Sequence, residues 1–256
     1  VLKRRDFLKM TSAAAAMGMV STVPGKSTSG DYKTKVVAFD AFALFNANSV
    51  VAAVEKMFPK RGAALSLAWR AAQFEYTWLR NSMGKYDNFW NVTRSALRHA
   101  ARASDIAIND AQSDELMQSY LSLRAWPDAA QTLDRLKEAN IRLAILSNFT
   151  LDMMRHCVVS SGLEGKLDAL LSTDEVGFFK PAPLAYRIAT TAFKVTRPEV
   201  LFVAFGGWDA VGAKAYGYRT YWANRASAAS EDMGYQPDAN SASLDRLVSF
   251  ATTGNS

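Results

Sequence analysis

The sequence predicts an α/β fold: a doubly wound parallel sheet with a block of helices inserted after its first strand. Lys35-Val36-Val37-Ala38-Phe39 is an apolar run too short for an ordinary helix, and it stops on Asp40. From Pro127 onward, further short apolar runs alternate with helical patterns, the sequence form of a parallel sheet covered by helices. Between about Val50 and Leu123 the texture is helical, with few strand-like runs.

Residues 1–30 read as a signal and linker. Lys3-Arg4-Arg5-Asp6-Phe7-Leu8-Lys9 has the form of a twin-arginine export motif, followed by Ala-rich residues and then a Ser/Pro/Gly stretch. This reading makes the twin-arginine translocase a transient partner and the periplasm or exterior the destination. A basic amphipathic helix start is the plainer alternative. The apolar segment falls well short of the ~20 residues that span a bilayer, so no stable membrane insertion is expected. Cys157 is the only cysteine and has no intrachain partner.

The formal net charge is +6. Lys3, Arg4, Arg5 and Lys9 against Asp6 account for half of it, and no dense Lys/Arg stripe follows, so nucleic acid is not an expected partner.

Residues 31–48 and 126–250 form the expected core domain. Its first strand is buried on both faces, which puts Asp40 at a strand's C-terminal end, where open α/β sheets bind ligands. Taken alone, Asp40 reads equally as the cap of the next turn. Residues 49–125 form the expected helical cap: Val50–Met57, Ala63–Met83, Asn88–Ala101 and Asp110–Leu123 carry apolar residues at three- and four-residue spacing, with Asp105 and Asn109 as caps between the last two. Asp128–Asn140 is a predicted helix and Ile141–Leu146 a strand ending on Ser147-Asn148. Met153–Ser161 is a helix closed by Gly162. Val176–Phe179 reads as a further strand-like run into Lys180-Pro181, followed by a helix over Leu184–Phe193. Val200–Phe205 is a strand leading through Gly206-Gly207 to Asp209, Asp209–Tyr216 a helix stopped by Gly217, and Arg219–Trp222 a short strand. Residues 251–256 read as a tail.

A carboxylate, a hydroxyl-amide pair, a lysine and a second carboxylate thus follow one another where a parallel sheet brings loops together. That order resembles the haloacid dehalogenase superfamily. The segment Trp69-Arg70-Ala71-Ala72-Gln73-Phe74-Glu75-Tyr76-Thr77-Trp78, continuing to Phe89-Trp90 and Ala96-Leu97, resembles the cap of its type II L-2-haloacid dehalogenases. The likeness extends from about Val36 to Asp245.

The resemblance implies hydrolysis of (S)-2-haloacids to (R)-2-hydroxyacids through an ester on Asp40. It places Arg70 at the departing halide, Ser147 and Asn148 on the substrate carboxylate, Lys180 beside Asp40, and Asp209 at the water. Ala41, Phe42, Tyr186 and Trp208 complete the implied substrate pocket. No cofactor is implied, and a homodimer is typical of the family. Each residue has a plainer role: Lys180 as a solvated helix-start residue, Asp209 as an N-cap, Arg70 as part of an aromatic helix packed on a core.

Residue chemistry separates this branch from metal-dependent phosphatases. Those use a second Asp two positions after the nucleophile, which here is Phe42, and a later acidic pair, which here is Asp209 alone with Ala204 nearby. Octahedral Mg²⁺ sites draw on carboxylates, so no metal site is expected. The chain also departs from the dehalogenase pattern. Asp40-Ala41-Phe42-Ala43-Leu44-Phe45-Asn46 lacks the family's Gly-Thr, and Ala204-Phe205-Gly206-Gly207-Trp208-Asp209 replaces its Ser-Ser-Asn-Ala-Trp-Asp. The alternatives are therefore an exported, catalytically weak protein that binds small carboxylates and, less favoured, a phosphatase.

Overall fold

The computed structural model describes residues 33–253; the twin-arginine reading and the linker lie outside them. The central sheet has six strands, all parallel: β1 Val36–Phe39, β4 Arg142–Ser147, β5 Ala169–Ser172, β6 Val200–Ala204, β7 Arg219–Ala223 and β8 Ala239–Ser241, in the order β5-β4-β1-β6-β7-β8. Strand β1 lies between β4 and β6, with Phe39 level with Ile145 and Val203. Its side chains alternate between two apolar layers, Val37 and Phe39 on one face and Val36 and Ala38 on the other. That explains an unbroken apolar run: neither face meets water.

The inserted helices are α2 Asn48–Met57, α3 Gly62–Met83, α4 Phe89–Ala103 and α5 Asp110–Gln118, preceded by the short helix α1 Ala41–Leu44. The two ends of the insertion lie side by side. Residues Phe45–Asn46 (β2) and Arg124–Ala125 (β3) pair antiparallel, a ribbon too short and too polar to read from sequence. No described helix is long and apolar enough to cross a membrane.

Several boundaries differ from the sequence reading. Val176–Phe179 is not a strand: Gly177 adopts φ +64°, and the chain turns there after a 3-10 segment at Thr173–Glu175. The strand on that side is instead β5, an edge strand whose first half is only part-buried, so its apolar signal is weak. Asn109 caps α5 with a full capping box, whereas Asp105 sits at φ +49° in the preceding turn and caps nothing. The helix predicted from Asp128 is α6 Ala129–Glu138, and the one predicted from Met153 is α7 Leu151–Ser160. Of the tail expected over residues 251–256, the described residues 251–253 belong to a helix, α10 Leu247–Thr253. Ala251 is buried against the core, and Arg219 Nη2 donates to Phe250 O at 3.1 Å.

Asp128 has a tertiary task. It accepts both arms of the Arg225 guanidinium, at 2.9 and 3.0 Å, and the Leu244 N–H at 2.9 Å. Arg225 also donates to Ala43 O and lies 4.4 Å from the Trp126 ring centre, while Trp126 Nε1 donates to Phe42 O. This clamp holds the segment that follows Asp40. Burial opposes the Asp128 charge, but Arg225 and the Leu244 N–H outweigh it and set its pKa below 3.8. A depressed folded pKa means the contribution is full above the ordinary carboxylate pKa and fades as pH falls through the folded value. Arg225→Ala should therefore lower unfolding stability in urea by about 3 kcal/mol at pH 7, with a smaller difference from wild type at pH 3.

Candidate active site

Asp40 is the first residue beyond β1, and its backbone N–H donates to Val203 O at 2.9 Å. Its Oδ2 accepts the Phe42 N–H at 3.0 Å, capping α1, while Oδ1 accepts Lys180 Nζ at 2.8 Å. The cap and the site are one arrangement: the backbone bond leaves the carboxylate in a single rotamer with lone pairs to spare.

Lys180 is fully buried. Its ammonium also donates to Asp209 Oδ2 at 2.7 Å and lies 4.9 Å from the Phe202 ring centre. Its backbone N–H donates to Asn148 Oδ1 at 2.9 Å, tying the Lys180 loop to the end of β4. Asn81 of α3 brackets the preceding residue, donating to Phe179 O at 2.8 Å and accepting its N–H at 2.9 Å. The inserted helices thus help place the lysine. Burial opposes its charge, but Asp209 and Asp40 outweigh that and raise its pKa above 10.5.

Asp209, 1% exposed, lies in the first turn of α9 Gly207–Tyr216. Its second oxygen accepts the Tyr186 hydroxyl at 2.6 Å. Tyr186 belongs to α8 Pro183–Phe193, and its carbonyl accepts the Tyr218 hydroxyl. Burial pushes the Asp209 pKa up to about 6; Lys180 pulls it back, the Asp40 charge adds to the rise, and the hydrogen bonds from Lys180 and Tyr186 restrain it. Gly212 is where these elements touch, since a Cβ there would stand 2.5 Å from Tyr186 Oη and 2.6 Å from Pro181 Cβ.

Beyond Asp40 opens a cavity of about 240 Å³, below the roughly 300–1,000 Å³ usual for drug-sized ligands. Asp40, Ser147, Asn148 and Arg70 supply its polar groups, and Phe42, Phe74, Phe89, Phe149, Phe205 and Trp208 its aromatic wall, with Gly206 between the last two. The Arg70 guanidinium lies 4.1 Å from the Phe42 ring centre and 4.6 Å from that of Phe74. It has no carboxylate ion pair among the described residues. Burial lowers its pKa against the pull of Tyr120 and Asp40, yet a guanidinium stays protonated in proteins. Ser147 Oγ accepts the Phe149 N–H at 3.2 Å, leaving its own O–H to donate. Asn148 uses its carbonyl on Lys180, leaving its amide N–H groups.

The structure therefore brings Asp40, Phe42, Arg70, Ser147, Asn148 and Trp208 around one cavity, with Lys180 and Asp209 directly behind Asp40. Two expectations need correction. Tyr186 does not line the cavity; it is fully buried beneath Asp209 and acts on that carboxylate. Ala41 is also fully buried and does not line it, because its side chain packs into the core under α1. Sequence reading missed Phe74, Phe89, Phe149, Phe205 and Gly206 as lining residues, although most stand within the motifs that carried the resemblance. Tyr120, whose hydroxyl meets Arg70, carries no local signal beyond the apolar spacing of its segment. The duller reading of Lys180 as a solvated residue fails on its burial.

A family model described as haloacid dehalogenase-like hydrolase matches residues 32–217. Haloacetate dehalogenase H-2 of Moraxella sp. (strain B) is 37% identical over 217 residues, 84% of this chain and 97% of that protein. The (S)-2-haloacid dehalogenase of Pseudomonas sp. (strain YL) is 37% identical over 86% of this chain and 95% of its own length. Among solved structures, the L-2-haloacid dehalogenase of Xanthobacter autotrophicus with chloropropionic acid covalently bound superimposes with a TM-score of 0.80 at 34% identity, covering 85% of this chain and 98% of that one.

The Tyr186 hydroxyl bond favours the charged form of Asp209. Tyr186→Phe should raise the Asp209 titration above about 6, read from its carboxyl carbon by NMR; an unmoved titration contradicts the assignment of that bond.

Proposed function

The chain belongs to the haloacid dehalogenase-like hydrolases, and we propose that it hydrolyses (S)-2-haloacids to (R)-2-hydroxyacids through an ester on Asp40. The observation that carries this reading is a fixed, Lys180-paired carboxylate facing a small aromatic cavity, with a guanidinium lacking any ion-pair partner among the described residues on the cavity wall.

The chemistry follows from these groups. Asp40 attacks C2 from the side opposite the halogen, an O–C2 bond forms, and the halide leaves with the bonding pair as C2 inverts. Arg70 meets charge that appears only as the carbon-halogen bond breaks, where a fixed cation is most effective. Ser147 O–H and the Asn148 amide hold the substrate carboxylate. Water then adds to the Asp40 carboxyl carbon. Whichever oxygen made the ester, the other keeps a donor, Phe42 N–H on Oδ2 or Lys180 on Oδ1, to stabilise the oxyanion. As the ester opens, one water proton ends on the product hydroxyl and the other passes to Asp209, whose affinity for a proton rises again as the Asp40 charge returns beside it. Metal-dependent phosphoryl transfer fits poorly, because the Lys180 ammonium already occupies the space between the two carboxylates.

A second reading, a protein that binds small carboxylates without rapid turnover, is favoured by one feature. Ala204 and Gly206 put no polar side chain near the attacked carboxyl, and a Cβ on Gly206 would stand 2.8 Å from Trp208 Nε1. Removing one transition-state donor costs about 10²–10³ in rate. A single turnover in H₂¹⁸O with enzyme in excess decides the matter: label should enter Asp40 and little should enter the hydroxyacid, while Asp40→Asn abolishes halide release. Binding with no halide released over many hours would establish the second reading, and label appearing directly in product would remove Asp40 as nucleophile.

Export by the twin-arginine pathway to the periplasm is part of the same proposal, resting on Arg4-Arg5 within Lys3–Lys9. Replacing both arginines by lysine should hold the folded protein in the cytoplasm, read by fractionation of periplasm and cytosol. Pairing of two copies is supported by Trp78, Leu79 and Met83, exposed on one helix, and light scattering tests it.

A further inference from the structure

Arg70 faces two cavities. Besides the one at Asp40, it lines a second cavity of about 400 Å³, a double position shared among the described residues only with Phe205. The walls of the second cavity are apolar, formed by Val50 and Val51 of α2 and by Leu67 and Trp69 of α3. Its mouth is marked by Leu67 and Val51, 75% and 37% exposed. Besides Arg70, three lining residues are polar: Asn48, Tyr120, which lies beside Arg70, and Ser66, whose Oγ is buried without a hydrogen-bond partner. A buried hydroxyl left unpaired is costly, and a guanidinium held by ring faces has N–H edges to offer an anion.

We propose that this second cavity binds an unhalogenated aliphatic monocarboxylate of about six to eight carbons, its carboxylate on Arg70 and Ser66 and its chain along the Val50, Val51 and Leu67 wall. Charge complementarity selects the head group, since Arg70 is the only charged residue among the described residues that line the cavity. The volume, within the roughly 300–1,000 Å³ of small-molecule sites, admits a chain that the cavity at Asp40 does not. On the reading that Arg70 receives the halide, such an occupant withholds it and slows turnover. The binding itself does not depend on that reading.

Calorimetry on the full chain tests the proposal without turnover, using butanoate, hexanoate and octanoate, with octylamine as the cationic control. Octanoate should saturate one site, affinity should rise roughly fourfold for each added methylene, and octylamine should not bind. Ala63→Trp, which fills the cavity from an exposed helix position, and Val51→Glu, which repels a carboxylate at the mouth, should each weaken octanoate at least tenfold while leaving halide release intact. No octanoate binding, a flat chain-length series, or equal binding of octylamine overturns the proposal. Unchanged octanoate affinity in both variants also overturns it by placing the ligand elsewhere. So does a dimer, seen by light scattering, that Ala63→Trp converts to monomer, because the groove is then an interface between copies.

Discussion

One buried ammonium between two buried carboxylates is the interaction on which the rest of this structure depends. Lys180 Nζ meets Asp40 at 2.8 Å and Asp209 at 2.7 Å, all three residues nearly out of solvent. Removing any one of them strands charge in a low-dielectric interior, which is far more costly than the pair is stabilising. The fold therefore spends several elements on holding three side chains. Strand β1 delivers Asp40, β4 delivers the Asn148 carbonyl that grips the Lys180 backbone, α9 delivers Asp209, and α8 delivers the Tyr186 hydroxyl that completes its shell.

The cluster also sets the chemistry available at the sheet edge. With one cation for two carboxylates, the group carries a net negative charge, and Arg70 faces it from the wall of the same cavity. Esterification of Asp40 removes one negative charge and relieves the repulsion that raises Asp209, so the two steps proposed for the site alter each other's electrostatics. The aromatic wall serves the same end by excluding water and lowering the local dielectric, which strengthens every charge interaction inside.

The segment after Asp40 shows how a shortened motif is kept in place. Where the related pattern has Gly-Thr before its Leu-Phe, this chain has Ala43 alone before Leu44-Phe45, one residue fewer and no side-chain hydroxyl. Its backbone carbonyls are held instead by Trp126, through Nε1 on Phe42 and N–H on Leu44, and by Arg225 on Ala43. The lost polar groups are thus replaced structurally. Chemically they are not, because Ala43 and Ala204 turn only methyl groups toward the core.

Asp40, Ser147-Asn148 and Asp209 were legible in the sequence because each stands just beyond an unbroken apolar run, and in a parallel sheet such runs end at one edge. Arg70 was legible as a lone cation among aromatic residues. Lys180 was legible by its place in the order, but not by its surroundings: it follows a turn at Gly177 and no strand, and its partner Asp40 lies 140 residues away. Tyr120, Phe149 and Asn81 left no mark, since their local pattern is already accounted for by helix and strand periodicity. Tyr186 and Ala41 were assigned to the cavity but belong behind it, because sequence spacing places a residue near a site without saying which side of a packed layer it faces. Local periodicity and chain order determined the fold and the chemistry-bearing residues. Only tertiary packing decided which of them meet the cavity and which hold the others in place, because that depends on contacts between segments far apart in the chain.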